Sequence, residues 1–97
     1  MSTYAALINW TEQGIRNVKD SPKRLDAAKK ELQQLGGELK SFYMTQGAFD
    51  ALLIFELPND EAAATFLLKT GAAGNVRTTT LKAYPEGEYR KILAGLG

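Results

Sequence analysis

The chain has 97 residues and a formal charge of +1, from 12 Lys and Arg against 11 Asp and Glu, and it contains neither cysteine nor histidine. That length supports one hydrophobic core, and so small a charge gives no general attraction to nucleic acid or anionic membrane. Without Cys or His there is no disulfide, no thiolate or imidazole metal site and no Ser-His-Asp triad, so any chemistry falls to carboxylates, Tyr, Lys, Arg, hydroxyls or a borrowed cofactor.

The first predicted element is a buried strand over Thr3 to Trp10, a mostly apolar run with aromatics near both ends. Thr11 offers a helix N-cap, and Ile15 and Val18 stand three apart, as an inward helical face requires. Ser21-Pro22 is a second start signal, with Ser as cap and Pro at the first helical position. Leu25, Ala28, Leu32 and Leu35 then form an apolar stripe ending at Gly36-Gly37. The pattern fits one helix kinked near Pro22 or two helices.

Gly37 to Leu57 reads as two strands joined by a tight turn at Gln46-Gly47. The run Ala51-Leu52-Leu53-Ile54-Phe55 has no polar alternation, so both of its faces require cover. Asn59 caps a further helix with Asp60 and Glu61 in its first turn, Ala63, Phe66, Leu67 and Thr70 on its inner face, and Gly71 as its stop. Asn75 to Tyr84 has the β-branched content of an edge strand, closed by Pro85. Tyr89, Ile92, Leu93 and Leu96 predict a short amphipathic helix in the tail.

The order βαββαβ predicts a ferredoxin-like α+β fold with a four-stranded antiparallel sheet, residues 1–85 forming the core and 86–97 a helical tail. Such a fold places its helices on one face of the sheet. The other face would be apolar, and covering about 500 Å² of it is worth on the order of 10 kcal/mol before association costs. The sequence therefore predicts a homodimer or higher oligomer formed through the open sheet face. No run is long and apolar enough to span a bilayer, and residues 1–3 lead straight into the strand pattern without a charged leader, so a cytoplasmic protein is expected.

Three segments carry a family resemblance. Trp10-Thr11-Glu12-Gln13-Gly14-Ile15-Arg16-Asn17-Val18-Lys19-Asp20 resembles the opening signature of the GYD-domain family, Gly47-Ala48-Phe49-Asp50 falls at its G-x-Y-D motif, and Gly74-Asn75-Val76-Arg77-Thr78 resembles its third block. The resemblance runs to about Tyr84 and implies a subunit of the dimeric α/β-barrel type, two sheets packed face to face. Phe49 stands where the family has Tyr, so a phenol at that position does no chemistry in this chain.

Asp50, beside an apolar strand, is a candidate general base, or else it caps the turn or pairs with Arg77. Arg77 is a candidate anion contact or an edge-strand ion-pair partner. Trp10, Phe42 and Tyr43 line a ligand cavity, with Asn9 as a polar contact, or else belong to the core or a dimer interface. Gly71-Ala72-Ala73-Gly74 lacks the Lys-Ser/Thr of a phosphate loop and precedes a strand. The basic residues of 16–30 alternate with acids, Asp20–Arg24 and Asp26–Lys30 falling at i, i+4, which describes a solvated helix face.

The expected function is a homo-oligomeric small-molecule-binding or sensing module with no cofactor or metal of its own. Its expected ligand residues are Asn9, Trp10, Arg16, Lys19, Tyr43, Phe49, Asp50 and Arg77. The alternative is an enzyme resembling the cofactor-independent monooxygenases or lyases and isomerases of the dimeric α/β barrel, with Asp50 as base, Tyr43 or Asn9 orienting an enolate and Arg77 stabilising charge. A purely structural oligomer is a third reading.

Overall fold

The central strand β1, Ser2–Trp10, is flanked by antiparallel partners on both sides in the computed structural model, which describes residues 1–97. The remaining elements are α1 (Glu12–Arg16), a 3₁₀ turn (Val18–Asp20), α2 (Ser21–Gln34), β2 (Glu38–Met44), β3 (Ala51–Leu57), α3 (Asp60–Ala72), β4 (Val76–Ala83) and α4 (Glu86–Ala94). The sheet order is β2-β3-β1-β4 with every pair antiparallel. This is the ferredoxin-like α+β arrangement expected from the sequence, with a C-terminal helix added. No helix is long and apolar enough to cross a membrane.

The core forms where β1 and β3 turn alternate residues toward the helices. Tyr4, Ala6 and Ile8 of β1 and Leu53, Phe55 and Leu57 of β3 are buried beneath Leu32 of α2 and Ala63 and Phe66 of α3. The Phe55 ring stacks on Tyr4 with centroids 5.4 Å apart and meets the Phe66 ring edge-on at 5.2 Å. Both geometries are favoured by aromatic quadrupoles.

The other sheet face carries no helix. Cross-strand pairing places Ala5 and Leu7 of β1, Leu52 and Ile54 of β3, Tyr43 of β2 and Leu81 of β4 on it, all half-buried or exposed. β2 reaches this arrangement through an irregularity between Leu39, opposite Phe55, and Ser41, opposite Ile54. The extra residue there is Lys40. It sends Phe42 toward the helices and Tyr43 to the open face.

Several local expectations are corrected. The break between α1 and α2 lies at Asn17–Asp20, ahead of Pro22, and Ser21 is the first residue of α2 while the cap position is Asp20, which makes no side-chain cap bond. A helix running unbroken through Pro22 would deprive the Val18 carbonyl of a donor, because Pro has no N–H. Instead the Ser21 N–H takes that carbonyl in the 3₁₀ turn.

Arg24 makes no ion pair with Asp20; its guanidinium donates to the carbonyls of Asn17 at 3.0 Å and Gly14 at 3.4 Å. Asp26 and Lys30 form no ion pair either. The β2–β3 connection is a loop over 45–50, wider than a tight turn, with Gly47 at φ 118° and Thr45 donating to the carbonyls of Phe49 and Asp50. Gly71 lies inside α3, and the left-handed residue that ends the segment is Gly74, φ 85°. The Asn59 cap is as expected, its side chain accepting the Ala62 N–H at 2.9 Å.

α4 differs in kind from α2 and α3. Every one of its residues is exposed, including Tyr89, Ile92 and Leu93. The molecule measures 52 × 31 × 18 Å.

Candidate functional site

Small side chains line the facing sides of α2 and α3 over one end of the sheet, Ala27 and Ala28 on the first, Thr70 on the second and Ala73 just past its end. They leave a cavity of about 400 Å³ between the helices and the sheet, within the range that suits small molecules. Ala6, Ile8 and Trp10 of β1 form its floor, with Leu25 of α2 and Phe66 and Leu67 of α3 as apolar walls. Arg24, Glu31 and Lys69 are its charged members. Lys69 Nζ stands 3.8 Å from Glu31 Oε1, so an ion contact too long for a hydrogen bond links α3 to α2. The Glu31 oxygen itself is buried and has no hydrogen-bond partner.

Chain segments far apart in sequence are locked together beside this cavity. Thr11 caps α1 by accepting the Gly14 N–H, and its hydroxyl donates to the Gly74 carbonyl at 2.6 Å. The Thr11 N–H donates to Asn75 O at 3.1 Å, and Gln13 Nε2 donates to Asn75 Oδ1 and to the Ala73 carbonyl. At Gly14 a Cβ would fall 1.8 Å from Asn75 O, so only glycine permits this approach.

From the other side, Asp50 Oδ2 accepts the Trp10 N–H at 2.9 Å, the Asp50 N–H donates to Ile8 O at 2.7 Å, and Asn9 Nδ2 donates to Ala48 O at 2.9 Å. The segments 10–20, 47–50 and 74–78 therefore meet at the Trp10 end of β1. Asn9, Trp10 and Asp50 come together as one clasp, in which Asp50 serves the backbone of Trp10 and makes no pair with Arg77.

The other expected ligand residues are spread over the surface. Phe49 is half-buried in the loop before β3. Tyr43 is 61 % exposed on the open sheet face, opposite Leu52. Arg16 pairs with Glu12 at 3.6 Å in solvent, and Lys19 is exposed on the 3₁₀ turn. Arg77 is exposed on β4, opposite Asn9, beside a shallow depression shared with Thr11, Gly71, Gly74 and Thr78, and it makes no ion pair.

Of the eight, Trp10 lines the cavity. The helical lining was not singled out in the sequence as a site. Leu25, Ala28, Phe66 and Leu67 carried only the period of core residues, and nothing marked Glu31 and Lys69 as neighbours.

A second polar cluster lies at the far end of the sheet. The Tyr4 hydroxyl donates to Asp60 Oδ1 at 2.5 Å, and Lys82 Nζ stands 3.6 Å from the same oxygen. Burial, reinforced by donation to Asp60, raises the Tyr4 phenol above its ordinary value. Donation from Tyr4, followed by the Lys82 charge, holds Asp60 below the ordinary carboxylate value. This cluster ties the start of α3 to β1 and β4.

The sheet order, with two long helices on one face and a pocket between the layers, defines a ferredoxin-like α+β protein. The chain belongs to the GYD domain family, whose model matches residues 4–93 and so extends into α4. It is 27% identical over 86 residues, covering 88% of this chain and 90% of the relative, to a Thermus thermophilus protein named "Glutamine synthetase and cystathionine beta-lyase binding protein". The crystal structure of TTHA0845, also from Thermus thermophilus, superposes with a TM-score of 0.53 at 22% identity, covering 88% of this chain and 99% of that one. That likeness supports the fold.

Proposed function

We propose that this protein is a homo-oligomeric small-molecule-binding module that acts by docking on a partner enzyme. The cavity of about 400 Å³ between sheet and helices carries the reading. Its walls are largely apolar, and the carboxylate best placed by sequence to act as a base, Asp50, is engaged by the Trp10 N–H. Binding is thus better supported than catalysis of the monooxygenase or isomerase kind.

The docking part rests on the name of the Thermus relative, which points to enzymes of amino-acid metabolism as the class of partner. Self-association rests on the open sheet face, where Leu7, Leu52, Ile54 and Leu81 form an apolar centre that a second copy would cover. Arg77, with no ion-pair partner of its own, is the proposed anion contact on the β4 edge, and Arg16 and Lys19 add positive charge on the α1 side.

Native mass spectrometry of the protein purified from its own host tests the reading. The expected result is an oligomer with a reproducible extra mass below about 1 kDa, the range of drug-sized pocket ligands. A monomer of bare mass would overturn it.

A further inference from the structure

The cavity wall indicates which kind of molecule it accepts. Three of its polar side chains are spent within the chain: Arg24 on the Asn17 and Gly14 carbonyls, the Thr70 hydroxyl on Phe66 O, Asn75 on Gln13. A ligand polar group set against Ile8 and Phe66 would lose its water without gaining a partner, which costs about 1–3 kcal/mol for each polar atom. The part of the ligand against these side chains is therefore hydrocarbon. At about 30 Å³ for each water of the liquid, the volume corresponds to roughly a dozen waters, and so to a small ligand.

The rim is different. Its charged members are two cations, Arg24 and Lys69, and one carboxylate, Glu31. Lys69 is 64% exposed and makes no hydrogen bond, its ion contact to Glu31 being 3.8 Å long. It has donors to spare at the mouth. Glu31 Oε1 is buried 3.8 Å from the Lys69 ammonium, which opposes its charge, and the three charged side chains together sum to +1, which favours an arriving anion. An ammonium head would add a third cation beside Lys69 and Arg24.

We propose that the cavity takes an apolar-bodied carboxylate, an aryl or alkyl acid whose hydrocarbon part lies on Trp10 and Phe66 and whose carboxylate meets the Lys69 ammonium at the rim. This rests on the pocket reading given above and adds the ligand's chemical class to it.

Trp10 is the only tryptophan in the chain and lies on the cavity floor, so its fluorescence reports occupancy directly. The full-length protein is titrated at low salt with 4-phenylbutyrate, 4-phenyl-1-butanol and 4-phenylbutylamine, three probes that share a body and differ in head group. The expected order of affinity is acid, then alcohol, then amine, with about tenfold between acid and amine. Lys69→Glu inverts that order and Lys69→Met abolishes the acid's advantage, each with an unchanged circular dichroism spectrum. Ala28→Phe fills the cavity and removes binding of all three.

Equal or tighter binding of the alcohol or amine by the parent protein, or an acid preference that survives both Lys69 changes, overturns the head-group assignment and leaves the pocket standing. No response of Trp10 and no heat of binding with any of the three probes overturns the pocket and this inference together.

Discussion

The Asp50 carboxylate accepts the backbone N–H of Trp10 at 2.9 Å, joining the loop before β3 to the last residue of β1. Trp10 thereby has its main chain held by one family segment while its side chain floors the cavity. Asp50→Ala leaves that N–H without its carboxylate acceptor and is expected to cost about 1–3 kcal/mol in urea unfolding. Asp50→Asn, whose amide oxygen still accepts, should cost less than half of that. Equal losses from the two variants would mean that the geometry of residue 50 matters for another reason.

Gly14 predicts a sharp contrast among glycines. Its would-be Cβ meets Asn75 O at 1.8 Å, whereas nothing lies within 4 Å of the corresponding position at Gly71 or Gly87, which are both helical. Gly14→Ala is expected to lower stability by about 1–3 kcal/mol through overpacking against backbone. Gly71→Ala and Gly87→Ala should be neutral or raise it by up to about 1 kcal/mol through helix propensity. Thermal melts of the three single variants check this in one experiment.

The Tyr4–Asp60–Lys82 cluster sets two limits on pH. Asp60 is depressed in the folded state, so its contribution is present above the ordinary carboxylate value and is lost as pH falls through the folded value. Tyr4 is raised and is neutral when protonated, so its contribution is present below the ordinary value of 10.0 and is lost as pH rises past it. Stability against pH should show a shoulder at each end. Asp60→Asn should flatten the acid shoulder in denaturation curves collected from pH 2 to 7, and Tyr4→Phe should flatten the alkaline one and, by removing donation to Asp60, weaken the acid one as well.

Leu52 is half-buried on the open sheet face, and Leu68 is 74% exposed on α3. If a second copy covers the sheet, Leu52→Lys shifts the protein toward monomer in sedimentation, because a charge enters an apolar interface. Leu68→Lys leaves the assembly unchanged. A parallel shift in both variants would count against the sheet face as the contact.

How far the sequence could be read depended on the kind of signal. Strand and helix order followed from local cues: alternation and apolar runs in β1 and β3, the Asn59 cap, the Pro85 stop. The clasp was half legible, since Trp10, Asn9 and Asp50 stood out but their mutual bonds did not. The bulge at Lys40 hid which of Phe42 and Tyr43 faces inward, because one inserted residue reverses a period of two. The cavity was the least visible feature. Periodicity reports which face of a helix turns inward and says nothing of the space left when Ala27, Ala28 and Ala73 meet there from distant segments.

The helical layer is pinned at both ends of the sheet. Gly14 presses on Asn75 at one end, and at the other a Cβ on Gly37 would fall 1.8 Å from Glu56 O. α3 is fixed likewise, by Asn59 and the Tyr4–Asp60 bond at its start and by Gln13 on Ala73 just past its end. If the cavity binds as proposed, walls pinned in this way would select a guest by dimension, and the capacity would change in steps of single methyl groups at Ala27, Ala28 and Ala73.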